Sequence, residues 1–352
     1  MRPLIDPPHE PLVPWLASRG LPPFRLRQVQ KWVYRRRADS FEAMTDLPTP
    51  LRHELAEAFC VSTSRVSRRE QADDGTEKLL LELADGENIE CVLLRDNRGH
   101  RTACVSTQVG CAMGCVFCAS GLAGMARNLS AGEIVEQLLH LERLLPADER
   151  LTHVVVMGMG EPLANLDALL PALAVASSED GLGIGVRRIT VSTVGLPAGI
   201  RRLAGLPSPY HLAISLHAAD DELRNRLVPA ARTIGLRAVL EAADDYFTQT
   251  GRRVTYEYVL LAGINDRPED AERLAALLQG RPVLVNLIVL NPVPGLPYRG
   301  TSASGVKRFQ HVLEQSAVPT QVRWRKGDRI DAACGQLRRR AGRKTTSLEK
   351  GP

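Results

Sequence analysis

No stretch of this chain approaches the roughly 20 consecutive apolar residues that a membrane-spanning helix needs. Nor does it open with a basic segment followed by an apolar one, the pattern of a secretory signal. Cysteine is sparse: seven residues in 352, an odd number and clustered, which does not suit the disulfide framework of a small secreted domain. There is no internal repeat, and no low-complexity tract apart from a polar, basic tail after Leu337. These absences point to a cytoplasmic protein with no membrane partner. With 44% hydrophobic residues the chain can bury a large core, enough for one main domain and an accessory one.

The net charge of +5 is unevenly spread. Residues 1–70 hold 12 Lys and Arg against 8 Asp and Glu, residues 321–352 hold 10 against 3, and the middle is net acidic. Two basic ends suit a polyanionic partner. Runs such as Arg35-Arg36-Arg37 and Arg338-Arg339-Arg340 read equally well as solvated surface.

From Phe24 the apolar residues Leu26, Val29, Trp32 and Val33 share a helical face, and Leu51, Leu55 and Phe59 repeat the spacing of a second helix. Residues 1–20, rich in proline, read as a loosely ordered lead. Strands are expected at Lys78–Leu83 and Ile89–Arg95, joined through Asp85-Gly86, and at Arg101–Ser106. A helix over Ala131–Leu145 then begins an alternation with strands at Thr152–Met157, Arg188–Thr193, Leu212–His217, Val254–Leu260, Val283–Leu290 and Gln321–Trp324. Such βα repetition predicts a parallel sheet, either curled into a partial barrel or open and doubly wound. In either form ligands gather at the carboxyl ends of the strands.

The most specific stretch is Cys104 to Cys118, CVSTQVGCAMGCVFC. Cys111, Cys115 and Cys118 stand in a C-x3-C-x2-C pattern, with Gly110 and Gly114 relieving the crowding of a tight loop. Iron-sulfur cubes are usually held by four thiolates, so a set of three leaves one iron open to a ligand. The alternatives are a structural zinc site with a distant fourth ligand, or packed thiols. Downstream, Met157-Gly158-Met159-Gly160-Glu161-Pro162 ends a strand with glycines that let a ligand approach the backbone. Glu161 is then placed for an ammonium group, or else sits on the surface of a tight turn. Ser215 and His217 share one strand face, and Asn291 ends another strand. Taken singly, Ser192, Ser215 and His217 read as satisfied interior groups.

The C-x3-C-x2-C motif together with CVSTQVGC, VVMGMGEPLAN, ISLHA, NLIVLNPVPG and GDRIDAACGQL resembles the RlmN/Cfr family of radical SAM RNA adenine methyltransferases, over about Phe24 to Leu337. The resemblance implies a partial (β/α) barrel with a small N-terminal helical domain. Its divisions are a helical, RNA-contacting domain at 1–70, a β-strand linker carrying Glu90 at 71–106, a core at 107–337 and a basic tail at 338–352. It implies a 4Fe-4S cluster on Cys111, Cys115 and Cys118, and S-adenosyl-L-methionine (SAM) held by Gly160, Glu161, Ser192, Ser215, Leu216, His217 and Asn291.

The implied reaction methylates C2 of an adenine in large-subunit ribosomal RNA, and in transfer RNA. Ring carbons are poor nucleophiles, so a radical route is needed. One SAM methylates Cys334, a radical made from another SAM activates that methyl, and the methylene adds to the base. Glu90, with Glu87 as the alternative, takes the ring proton. Cys104 attacks the sulfur of Cys334, and the disulfide formed is reduced. An electron donor and a thiol reductant are required, and the protein is expected as a monomer. The competing readings are the same chemistry at C8, a non-catalytic metal-containing RNA-binding factor, and a radical SAM enzyme acting on protein or a small molecule. Cys60 and Cys91 match no role and read as packing residues.

Overall fold

The computed structural model describes residues 2–7, 11–122, 124–323 and 330–337. Trp324 and the basic tail beyond Leu337 lie outside the described residues, as does the Arg338-Arg339-Arg340 run.

Three helices, α1 (Leu12–Ser18), α2 (Phe24–Tyr34) and α3 (Thr49–Ala58), form the N-terminal module, with β1 (Arg2–Pro3) paired to β2 (Phe59–Cys60). The expected stripes are the buried ones: Val29 and Val33 on α2, Leu51 and Leu55 on α3. The stretch expected to be loose contains α1 instead. Leu12 and Leu16, four apart, are both buried and hold this single short helix down.

A ten-stranded sheet makes up the body. Four strands, β3 (Arg65–Gln71), β4 (Glu77–Glu82), β5 (Asn88–Arg95) and β6 (Arg101–Cys104), pair antiparallel in sequence order. A small hairpin, β7 (Gln108–Gly110) with β8 (Met125–Asn128), stands apart from the sheet. From β6 the main sheet turns parallel through β9 (His153–Val156), β10 (Ile189–Thr193), β11 (His211–Ser215), β12 (Val254–Leu260), β13 (Val283–Val289) and β14 (Thr320–Arg323). The strands expected for a linker are therefore continuous with the barrel sheet.

Each parallel strand lies beside the next parallel strand in sequence, and the order never reverses. A doubly wound sheet has a reversal point, so this order selects the barrel. The intervening helices are α4 (Ala119–Leu122), α5 (Ala131–Glu142), α6 (Leu166–Ser177), α7 (Pro197–Ala204), α8 (Asp221–Leu227), α9 (Leu236–Thr250), α10 (Pro268–Leu278) and α11 (Ala303–Gln315). Apolar residues of the strands' outer side, such as Val154, Val156, Val191 and Ile214, share one core with Leu138, Leu169, Val239 and Leu274 of these helices. Among the described residues β14 and β3 remain the two unjoined ends, so the barrel is incomplete.

The inner side carries bands of polar and small residues in register: Cys104 beside Val155 beside Thr190 beside His211, and Ser215 beside Glu257 beside Asn286 beside Gln321. Val155 is thus half-buried against the interior, whereas Val154 is fully covered.

Arg35 and Arg37 do not project as a free basic run. Arg37 donates to the carbonyls of Leu145 (2.6 Å), Pro146 (2.9 Å) and Glu149, and lies 3.3 Å from Glu142. Arg35 donates to Leu182 and Glu179. Both guanidinium groups tie the N-terminal module to loops of the barrel, which is neither of the two uses the run suggested.

Candidate active site

The β7–β8 hairpin pinches the base of the cysteine loop. Gly110 sits at φ 80°, and a Cβ there would lie 2.0 Å from the Gly124 carbonyl oxygen, so no side chain fits. The Cys111 amide donates to that same oxygen at 3.1 Å. Gly114 is likewise left-handed at φ 66°. Cys111, Cys115 and Cys118 line one cavity together with Cys334. Burial, the largest cause, raises all three loop thiols, Cys111 to about 11. Among the described residues no three His, Cys, Asp or Glu side chains close tightly enough to hold one metal ion. Three soft thiol donors around a shared cavity fit a cluster with one iron left open.

The floor beside it comes from the segment after β9. Gly160, at φ 103°, leaves room where a Cβ would meet Gln108 at 2.7 Å, and Gln108 accepts from the Glu161 amide at 2.9 Å. Glu161 is buried, not on the surface: its Oε1 accepts from the Leu163 amide (3.0 Å) and its Oε2 from the Val194 amide (2.8 Å). Burial raises its pKa, opposed by those amides. Ser192, Ser215 and His217 line the same cavity. β11 ends at Ser215, and His217 sits beyond it at φ 62°. Its Nδ1 accepts from the Val259 amide at 3.1 Å, so the neutral ring carries its proton on Nε2. Burial first, then nearby Arg224, holds its pKa down to about 3.

Two of the residues named for the SAM site stand elsewhere. The Leu216 side chain is fully covered in the outer core, leaving only its backbone for the interior. Asn291 lines a second, larger cavity on the inner side, with Cys104, Val155, Thr190 and His211, and its buried Oδ1 has no partner among the described residues.

Cys334 lines both cavities. Its loop is fastened to the cysteine loop, where the Ala119 amide donates to Gly335 at 2.7 Å and Ser120 Oγ to Leu337 at 2.6 Å, and to the end of β13 through Gln336 Nε2 and the Pro292 carbonyl at 3.1 Å. Burial raises the Cys104 thiol, with the nearby Cys334 sulfur as the next cause, whereas Cys334 itself is exposed.

Glu90 is fully buried, contrary to a solvent-facing strand position, with Lys78 Nζ 3.3 Å from its Oε1. It shares a face of β5 with Val92, whose neighbour across the sheet is Cys104. It does not line either cavity, and Glu87 lies in the turn after Leu83.

One interior group escaped sequence reading. Glu257 on β12 is buried, lines the cavity with the three thiols, accepts from Asn286 at Oε1 at 3.0 Å, and among the described residues has no partner for Oε2. The available signal was a lone acid alternating with Tyr256 and Tyr258 in an apolar strand.

This fold and thiol loop define a radical SAM enzyme, and residues 105–277 match the Radical SAM superfamily. Such proteins use a 4Fe-4S cluster and SAM, and these are this chain's cofactors. Residues 3–61 match the ribosomal RNA large subunit methyltransferase N-terminal domain. A probable dual-specificity RNA methyltransferase RlmN from Rhodopirellula baltica is 58% identical over 93% of this chain and 88% of its own length. Another RlmN, from Symbiobacterium thermophilum, is 48% identical over 97% and 93%. A crystal structure of a radical SAM methyltransferase from Sphaerobacter thermophilus superposes with a TM-score of 0.92 at 44% identity, covering 96% of this chain and 99% of that one. The chain belongs to the RlmN family of RNA methyltransferases. It is an enzyme, so the reading as a non-catalytic RNA-binding factor falls.

Proposed function

We propose that this enzyme methylates C2 of an adenine in large-subunit ribosomal RNA and in transfer RNA, with Cys334 as the methyl carrier. The observation that supports this most is that Cys334 opens onto two cavities, one shared with the thiol trio and one shared with Cys104. Cys111, Cys115 and Cys118 would hold the cluster. Gly160, Glu161, Ser192, Ser215 and His217, with the backbone at Leu216, would hold SAM, and Asn291 would meet it from the second cavity. Cluster and SAM, when bound, supply a methyl cation equivalent and a hydrogen-abstracting radical.

The chain's own groups do the rest. Cys334 takes the methyl on sulfur and presents it to the base. Glu90 takes the ring proton while one electron leaves the radical adduct for a one-electron acceptor, which restores the aromatic ring, now joined to Cys334 through the methylene carbon. Cys104 attacks the sulfur of Cys334, the carbon–sulfur bond breaks, and its electron pair stays on carbon, which is protonated to the methyl group. An external thiol reductant then reopens the disulfide, and an electron donor serves the cluster. The basic N-terminal module, residues 1–70, would grip RNA with an affinity that falls as salt rises. We place the enzyme in the cytoplasm as a monomer.

The test is nucleoside mass spectrometry on ribosomal and transfer RNA from a deletion strain complemented with the wild type or Cys334→Ala. The wild type should restore 2-methyladenosine and Cys334→Ala should restore none. Restoration of an 8-methyl product would move the site to C8, and full methylation by Cys334→Ala would remove Cys334 from the reaction.

A further inference from the structure

A lysine is seldom fully buried unless several acceptors surround it. Lys78, on β4, is 2% exposed. Its ammonium lies 3.3 Å from Glu90 Oε1, 3.1 Å from Glu70 Oε2 and donates to the Asp331 carbonyl at 3.2 Å. These partners come from three places: the strand bearing the proposed base, the outermost strand, and the loop that three residues later presents Cys334. Asp331 holds a left-handed backbone, φ 52°, a conformation that aspartate tolerates better than most residues.

We propose that Lys78 is a positioning residue for the release of methylated RNA. Its ammonium fixes the Glu90 carboxylate and, through the Asp331 carbonyl, sets the Cys334 loop against it, so that base and methyl carrier keep one spacing. The assignment rests on Glu90 as base and Cys334 as carrier. A neutral side chain at Lys78 removes the ammonium beside Glu90 Oε1 and the bond it donates to the Asp331 carbonyl.

The test uses cluster-reconstituted protein, wild type and Lys78→Met, Lys78→Arg, Glu90→Gln and the Lys78→Met/Glu90→Gln double variant, with transcribed ribosomal RNA. Lys78→Met should lower methylated RNA at least tenfold and leave RNA attached to Cys334, as Glu90→Gln does. The double variant should be no worse than either single one, and Lys78→Arg should restore most of the product. A second readout needs no turnover: iodoacetamide labelling of Cys334, mapped by peptide mass spectrometry with Cys60 as reference. It should speed up several-fold in Lys78→Met, and not in Glu90→Gln or Lys78→Arg. Wild-type methylation by Lys78→Met beside a defective Glu90→Gln overturns the role of Lys78 and leaves the base standing. Wild-type methylation by Glu90→Gln removes the base itself. An additive double variant places Lys78 in some other task. Should Lys78→Met fail to fold, Lys78→Gln replaces it, and unchanged Cys334 labelling there overturns the proposal.

Discussion

Burial pushes the Cys104 thiol up to about 12, chiefly by desolvation and then by the neighbouring Cys334 sulfur. The attacking species in disulfide formation is the thiolate, and its fraction is small far below that value. Release of RNA from Cys334 should therefore accelerate about tenfold per pH unit through the neutral and mildly alkaline range. Decay of the RNA–protein adduct, followed in single turnover, checks this; a rate independent of pH would show that Cys104 does not make the attack. Cys104→Ala should leave the adduct standing at every pH. At this scale the sequence was readable where a motif carried the residue. It was opaque where the role comes from enclosure: the sequence marks Glu257 as a lone acid in an apolar strand, but not that it faces the cavity of the thiols.

Among the elements, the cysteine loop owes its shape to a hairpin too short to read from alternation. β7 and β8 have three and four residues, and only their pairing, Gln108 with Asn128, Val109 with Arg127 and Gly110 with Met125, reveals them. Gly110→Ala should disturb that hairpin by roughly 3 kcal/mol, because a Cβ at φ 80° is both strained and 2.0 Å from a carbonyl oxygen. Iron content after reconstitution and the melting temperature measure it, and both should fall together. β12 was legible from end to end because it alternates cleanly between helix-facing and interior residues. β3 was missed because an exposed edge strand, RVSRREQ, has no apolar side to betray it.

At the level of the whole molecule, the choice between barrel and doubly wound sheet lay beyond local pattern, since both are written in the same βα alternation. The N-terminal module shows the same limit: three consecutive arginines read as surface charge, yet two of them are spent on barrel carbonyls. Arg37→Ala strips several hydrogen bonds and leaves the buried Glu142 without its closer partner, Arg150 standing at 3.6 Å. It should cost roughly 3 kcal/mol. Differential scanning calorimetry should show a lowered or split transition, and limited proteolysis should release the first 61 residues earlier than in the wild type.

Every parallel strand finds its partner in the next parallel strand along the chain, so the sheet can zip up from contacts of modest sequence separation. The seam between residues 330–337 and the region around Lys78 and Ser120 is the exception, closing a loop of more than two hundred residues. Such a seam carries a large closure entropy, and it is held by these hydrogen bonds together with Ala332 and Leu337, which are buried in the common core.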